Sequence, residues 1–171
     1  MGKLTPTHVP RIAPVQLAYI AGFIDGDGSI LGQFVRRVDY VYGYQIRVTI
    51  NLTLEASRLH FLKQFQEILK PYGEGTLRNR GDGIAELAFV GKDKVGPLLF
   101  DLKDYLQIKH TQAKWLLDVT ERLPHTKNNP ALFLELCQQC DRIAGLNNSQ
   151  NSTINADVVK LYLVEKGFIS L

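Results

Sequence analysis

Two carboxylates, Asp25 and Asp27, alternate with Gly26 and Gly28 where an apolar helical pattern stops. A helix C-terminus already carries partial negative charge, so each acid there is unfavourable by about 0.3–1 kcal/mol. A divalent cation reverses the sign of that effect, because hard cations take carboxylate and carbonyl oxygens. Taken alone, Asp-Gly-Asp-Gly reads first as a turn with Asx-type bonding. An EF-hand calcium loop fails, since its sixth and twelfth positions counted from Asp25 are Ile30 and Arg36 rather than Gly and Glu.

The elements around the acids sharpen this choice. Residues 15–25 have helical spacing, with Pro14 suited to the first turn and Leu17, Ile20, Ala21 and Ile24 on one stripe. Gly26 and Gly28 are expected to end the helix. Ala18, Ala21, Gly22 and Asp25 also fall three or four residues apart, and small residues at that spacing let two helix backbones approach closely. The helix is therefore expected to pack against a twin and present an acid at its end.

Two strands follow. Gln45, Arg47, Thr49 and Asn51 alternate with Ile46, Val48, Ile50 and Leu52, which separates a polar face from an apolar one. In the first strand Ile30, Phe34 and Val38 are expected on one face and Gln33, Val35 and Arg37 on the other, with residues 39–44 as the turn. Residues 55–70 return to helical spacing through Leu59, Leu62, Phe65 and Leu69. A second hairpin spans 76–90 around Gly81-Asp82-Gly83, with Arg78, Arg80, Glu86 and Ala88 at alternating positions. Helices are expected at 94–105, 111–123, 131–144 and 156–166. The order α-β-β-α-β-β-α plus further helices predicts an α+β fold, one mixed sheet with helices on its apolar face. Residues 1–14 read as an arm, 15–146 as the core domain, and 147–171 as a polar linker and C-terminal helix.

Composition narrows the classes. The 171 residues suit one domain at about 150 residues per domain. With 45% hydrophobic and 22% charged residues the chain is globular rather than disordered. The net charge of +3 neither announces a nucleic-acid binder nor excludes one with segregated charge; residues 29–53 hold three Arg against one Asp. Two cysteines exclude a disulfide-framed fold, and no stretch is apolar for long enough to span a membrane. Cys137 and Cys140 lack further zinc ligands at any usual spacing and read as buried free thiols. Three prolines in the first 16 residues argue against a transit helix, and no targeting signal is read.

Ile20-Ala21-Gly22-Phe23-Ile24-Asp25-Gly26-Asp27-Gly28 resembles the LAGLIDADG motif of homing endonucleases, with six of nine positions identical. The resemblance extends through Ser29-Ile30, Arg78-Asn79-Arg80-Gly81, Leu106-Gln107-Ile108-Lys109, Gln112-Ala113 and Phe133-Leu134-Glu135, and is strongest to single-motif, chloroplast-type members. It implies an antiparallel, saddle-shaped sheet whose polar face lies in the DNA major groove. Gln33, Val35, Arg37, Gln45, Arg47, Asn51, Arg78, Arg80, Glu86 and Ala88 would then face double-stranded DNA. Arg suits guanine and Gln or Asn suits adenine at about 1–3 kcal/mol per good pair. Lys103, Lys114 and Lys127 could meet phosphates or be plain surface.

One motif gives one acid site, so cutting two strands implies a C2 homodimer and a near-palindromic target. The resemblance makes Ala18, Ala21, Gly22 and Asp25 the dimer seam and Asp27 the metal-binding carboxylate, with the Gly26 carbonyl as second ligand. Mg2+ is the expected cofactor, with Mn2+ or Ca2+ able to occupy the site. Lys109, Arg58 and Gln112 match basic and polar positions near the family's site. Many relatives carry a polar residue, often Gln, near the end of the second strand; direct spacing puts Leu54 there, so Thr53 or Glu55 substitutes or the water network differs. The resemblance implies an intracellular, organellar enzyme that makes site-specific double-strand breaks. The alternative within the same fold is an intron maturase or a non-cleaving DNA-binding regulator.

Overall fold

The computed structural model describes residues 8–147 and 153–170. The first half of the expected arm and most of the expected polar linker, residues 148–152, lie outside these.

Helix α1 spans Pro14–Asp27. Pro14 supplies a pre-set φ at the first position, and the Ala13 N–H donates to Gln16 Oε1 at 3.1 Å. Strands β1 (Gly28–Arg36) and β2 (Tyr44–Glu55) follow, then a 3-10 turn at Ala56–Arg58 and α2 (Leu59–Ile68). Strands β3 (Thr76–Asn79) and β4 (Ile84–Val90) form the second hairpin. The remaining helices are α3 (Lys92–Leu102), α4 (His110–Arg122), α5 (Pro130–Leu146) and α6 (Ala156–Glu165). Asn129 and Asn155 cap the last two, accepting the N–H groups of Leu132 and Val158 at 3.0 Å each.

The sheet order is β1-β2-β4-β3, and every pair is antiparallel. The expectation of a mixed sheet is therefore corrected. Both β1-β2 and β3-β4 are hairpins, and their antiparallel union through β2 and β4 leaves no parallel pair. The apolar face carries Ile30, Ile46, Val48, Ile50, Leu52, Leu87 and Phe89, all buried, and the helices cover it. Full burial of one such side chain stabilises by about 1.5–3 kcal/mol. Gly32 admits α5 closely, because a Cβ there would stand 2.4 Å from Cys140 Sγ.

Helix α3 starts two residues earlier and ends three earlier than expected, α2 ends at Ile68, and three further boundaries bear on the acids and the polar face. Helix α1 continues through Gly26 to Asp27, because Gly28 is extended rather than left-handed and its N–H still reaches the Ile24 carbonyl. Strand β1 stops at Arg36; Arg37 begins the turn by donating its N–H to Gly43 O at 2.9 Å, and Val38 is exposed rather than on the apolar face. Glu55 ends β2 instead of opening a helix, and a single 3-10 turn intervenes before α2. Cys137 and Cys140 are buried free thiols, and burial pushes the Cys140 thiol up to about 12 and Cys137 up as well.

Candidate nuclease site

The end of α1 meets the start of β1 and the end of β2. A helix leaves its last carbonyls short of intrahelical donors, so beyond Ile24, whose carbonyl takes the Gly28 N–H, each needs another partner. Lys109 Nζ donates to the Ile24 carbonyl at 2.9 Å and the Asp25 carbonyl at 2.7 Å. Thr53 Oγ1 donates to the Asp27 carbonyl at 3.0 Å. The remaining one is Gly26, which takes no side-chain donor among the described residues and, like Asp27, is exposed.

Asp25 and Asp27 are thereby separated in role. Asp25 turns its carboxylate to three consecutive backbone N–H groups, Gln107 at 2.8 Å, Ile108 at 3.2 Å and Lys109 at 2.8 Å. It ties α1 to the segment that leads into α4 and orients Lys109. The Asp27 carboxylate has no hydrogen bond or ion pair among the described residues, and the residue is exposed. Gly28 permits the junction. A Cβ there would lie 2.7 Å from the Ile24 Cα and 3.1 Å from the Asn51 carbonyl.

A cleft of ≈ 340 Å³ adjoins the acid end, lined by Gly28, Ser29, Ile108, Lys109, Gln112, Leu146 and Asn147. Gln112 is buried and its amide donates to Asn147 Oδ1 at 3.5 Å, while Asn147 Nδ2 donates to the Ile30 carbonyl at 2.8 Å. Arg58 lies apart from the Lys109 cluster, exposed on the 3-10 turn with its nearest acid, Glu55, at 4.0 Å. Leu54 packs on the apolar core, so it faces away from the acid; Thr53 and Glu55 share the polar face.

Across the polar face the register puts Gln33 opposite Arg47, Val35 opposite Gln45, and Asn51 opposite Ala88. Arg78 stands opposite Glu86, which is itself opposite Thr53. Glu86 is buried and ion-paired to Arg78 at 2.9 Å and to Arg80 at 4.0 Å. Its carboxylate is thus engaged with the two arginines rather than displayed. Arg80 lies past the end of β3, where its side chain also pairs with Asp82 at 3.0 Å. Arg37 lies beyond β1 in an ion pair with Asp39 at 2.9 Å. Gln45 Oε1, Thr49 Oγ1 and Asn51 Oδ1 are buried without a hydrogen-bond partner among the described residues. All three belong to β2 and point to the same face. Sequence reasoning singled out Gln45 and Asn51 but passed over Thr49, although the alternation alone placed it between them.

The expected seam is split. Ala21 is completely buried in the chain's own core with Leu17, Ile20 and Ile24, so it cannot line a twin. The 100° step per residue turns it inward from Ala18 and Gly22, which are exposed. Asp25 is half-buried, and its carboxylate is bonded within the chain to residues 107–109. Val15 and Tyr19, three or four residues from Ala18 and Gly22 on α1, are exposed beside them, and Phe61 and Ile108 are further exposed apolar residues outside α1. Phe61 and Ile108 lie on separate elements, and no motif spacing points to them.

Comparison with known proteins adds an independent finding. A family model described as LAGLIDADG endonuclease matches residues 20–107. The DNA endonuclease I-CvuI of Chlorella vulgaris is 36% identical over 155 residues, covering 91% of this chain and 94% of the relative. The DNA endonuclease I-CreI of Chlamydomonas reinhardtii is 33% identical over 147 residues, covering 86% and 88%. A crystal structure of I-CvuI bound to the I-CreI target with 2 mM Mg, its DNA not cleaved, superposes with a TM-score of 0.84 at 35% identity over 91% of this chain and 96% of that one. The match in sequence runs through the acid-bearing helix end and both hairpins, and the match in fold runs through the whole sheet. The chain belongs to the LAGLIDADG endonuclease family.

Proposed function

We propose that this chain acts as a homodimer and makes Mg2+-dependent double-strand breaks at a long, near-palindromic DNA site. The observation that carries the reading is the end of α1, where Asp27 keeps an unpartnered, exposed carboxylate while Lys109 and Thr53 take the neighbouring carbonyls. The oxygens left are a carboxylate and the Gly26 carbonyl, both hard donors suited to Mg2+, which takes few protein ligands and completes its shell with phosphate and water. A cation held there would polarise the scissile phosphate and lower the pKa of an attacking water.

The chain's own residues supply the rest. Lys109 holds fixed positive charge against the helix end and keeps the Asp27 turn in place. Arg58 is exposed and available to a phosphate oxygen. Gln112, buried on α4, supports the wall of the adjoining cleft through Asn147 rather than reaching reactants. On the sheet, the Gln45 and Asn51 amides share one face, and an amide pairs with adenine through a donor and an acceptor in the major groove. Arg47, Arg78 and Arg80 flank them as donors for guanine or phosphate. The exposed small face of α1, flanked on the same helix by exposed Val15 and Tyr19, fits a second copy about a two-fold axis.

The test is selection of cut sites from a randomised DNA library with Mg2+, followed by the Asp27→Asn variant on the selected site. Cleavage by the wild type and its loss in D27N, with binding retained in Ca2+, are expected. Unimpaired cleavage by D27N overturns the reading, and binding without cleavage by the wild type points to a non-cutting regulator.

A further inference from the structure

From the Thr53 hydroxyl bond to the Asp27 carbonyl, we infer that Thr53 is a positioning residue for the metal-binding turn, fixing which backbone oxygen faces the cation. The inference rests on the nuclease reading above and goes beyond it by assigning a task to a residue in neither the acid motif nor the basic pair.

The accounting of carbonyls at the end of α1 leads there. Ile24 and Asp25 are held by Lys109, so Thr53 decides between the last two, Gly26 and Asp27. Its Oγ1 lies 3.0 Å from the Asp27 carbonyl. That oxygen is thereby engaged by β2, while no side chain among the described residues donates to the Gly26 carbonyl. A peptide plane is rigid, so fixing one carbonyl fixes the orientation of the next N–H and limits the torsions on both sides. The bond also spans the joint between helix and sheet, where Gly28 contributes no side chain to lock the angle.

The neighbours of Thr53 do not share this role. Leu54 faces the apolar core, and Glu55, at the end of β2, is oriented toward Arg58 at 4.0 Å. A side-chain donor from β2 to the acid-bearing turn is therefore supplied at residue 53. Because the hydroxyl is spent on the main chain, Thr53 acts through the turn rather than by touching a reactant. Its register partner Glu86 is itself engaged with Arg78 and Arg80, which leaves the hydroxyl free to donate toward α1.

The experiment compares wild type, Thr53→Val and Thr53→Ser as full chains on the selected DNA site. Valine keeps the shape and removes the donor; serine keeps the donor. Three quantities are read: DNA affinity in Ca2+, cleavage rate against Mg2+ concentration, and Mn2+ affinity of the protein–DNA complex by electron paramagnetic resonance. The loss of one hydrogen bond, about 1 kcal/mol, converts to roughly fivefold. T53V is expected to weaken Mn2+ binding and raise the half-saturating Mg2+ by about that factor, with DNA affinity unchanged and the thermal midpoint lowered by no more than a few degrees, and T53S is expected to restore both metal readouts. Equal Mn2+ affinity in T53V and wild type overturns the positioning role, as does a T53S variant that behaves like T53V. If the wild type binds DNA and Mn2+ but does not cleave, the nuclease reading falls, and the Mn2+ comparison still decides the role of Thr53.

Discussion

Lys109 and Asp25 act as a reciprocal pair that carries no sequence spacing of its own. The Asp25 carboxylate fixes the backbone of Lys109, and the Lys109 ammonium returns to the Asp25 carbonyl. Hydrogen bonds to a charged group contribute about 1.5–3 kcal/mol each. Lys109→Met keeps the stem length and removes the charge. It is expected to slow cleavage at least tenfold while leaving DNA affinity in Ca2+ within a few-fold of wild type, measured by single-turnover kinetics and filter binding. Equal slowing of binding would place Lys109 in DNA contact instead. The acid motif was legible because four adjacent residues carry it. The ties to residues 107–109 and to Thr53 were not, since a carboxylate or hydroxyl reaching backbone on another element leaves no local pattern. The same limit explains Glu86, which strand alternation assigned to the DNA face without revealing that two arginines already engage it.

At the level of elements, alternation and helical spacing delivered every helix and strand, and the errors fell at their ends. Ends are decided by cap and turn contacts such as Arg37 to Gly43, not by periodicity. One tie between elements has a predictable pH dependence. Asp101 of α3 accepts hydrogen bonds from the Tyr72 hydroxyl, the Arg11 N–H and the His8 ring, which fastens residues 8–11 to the body of the protein. Burial works to raise the Asp101 pKa, but the bonds from Tyr72, His8 and Arg11 together outweigh it and hold the carboxyl below its ordinary value. A depressed carboxylate stabilises the fold above its unfolded pKa, and that contribution is lost as pH falls from about 3.9 through the folded value. Asp101→Asn is expected to cost about 1–2 kcal/mol at neutral pH, lowering the thermal midpoint by several degrees. Its deficit should shrink below about pH 3.9 as the wild type protonates. A deficit independent of pH across that range would assign the loss to packing. A second tie is the close seating of α6 on the first hairpin turn. Gly43 has φ +69 and a Cβ there would stand 2.6 Å from the Tyr162 ring. Gly43→Ala therefore meets strain and a clash together, and should destabilise by about 1–3 kcal/mol in chemical denaturation.

At the scale of the whole molecule, the exposed side of α1 carries the proposal that the chain is half of a dimeric unit. Length and composition suggested one domain, and the buried face of α1 agrees, since Leu17, Ile20, Ala21 and Ile24 complete a core within the chain. The opposite side has no such use. A Cβ at Gly22 or Gly26 would find nothing within 4 Å, so the glycines are not required by this chain's own packing. They are required if another helix backbone approaches, which small residues permit. Two substitutions one residue apart separate these demands. Ala21→Leu adds bulk to a filled core and is expected to destabilise by about 1–3 kcal/mol, seen as a lower denaturation midpoint. Gly22→Leu adds bulk to open surface, so the circular dichroism spectrum should stay native, and exchange of Gly for a better helix former favours the helix by under about 1 kcal/mol. In sedimentation the wild type should run as a dimer and G22L as a monomer, with double-strand cleavage abolished. A monomeric wild type that still cuts both strands, or a G22L variant that remains dimeric and active, would place the seam elsewhere on the molecule.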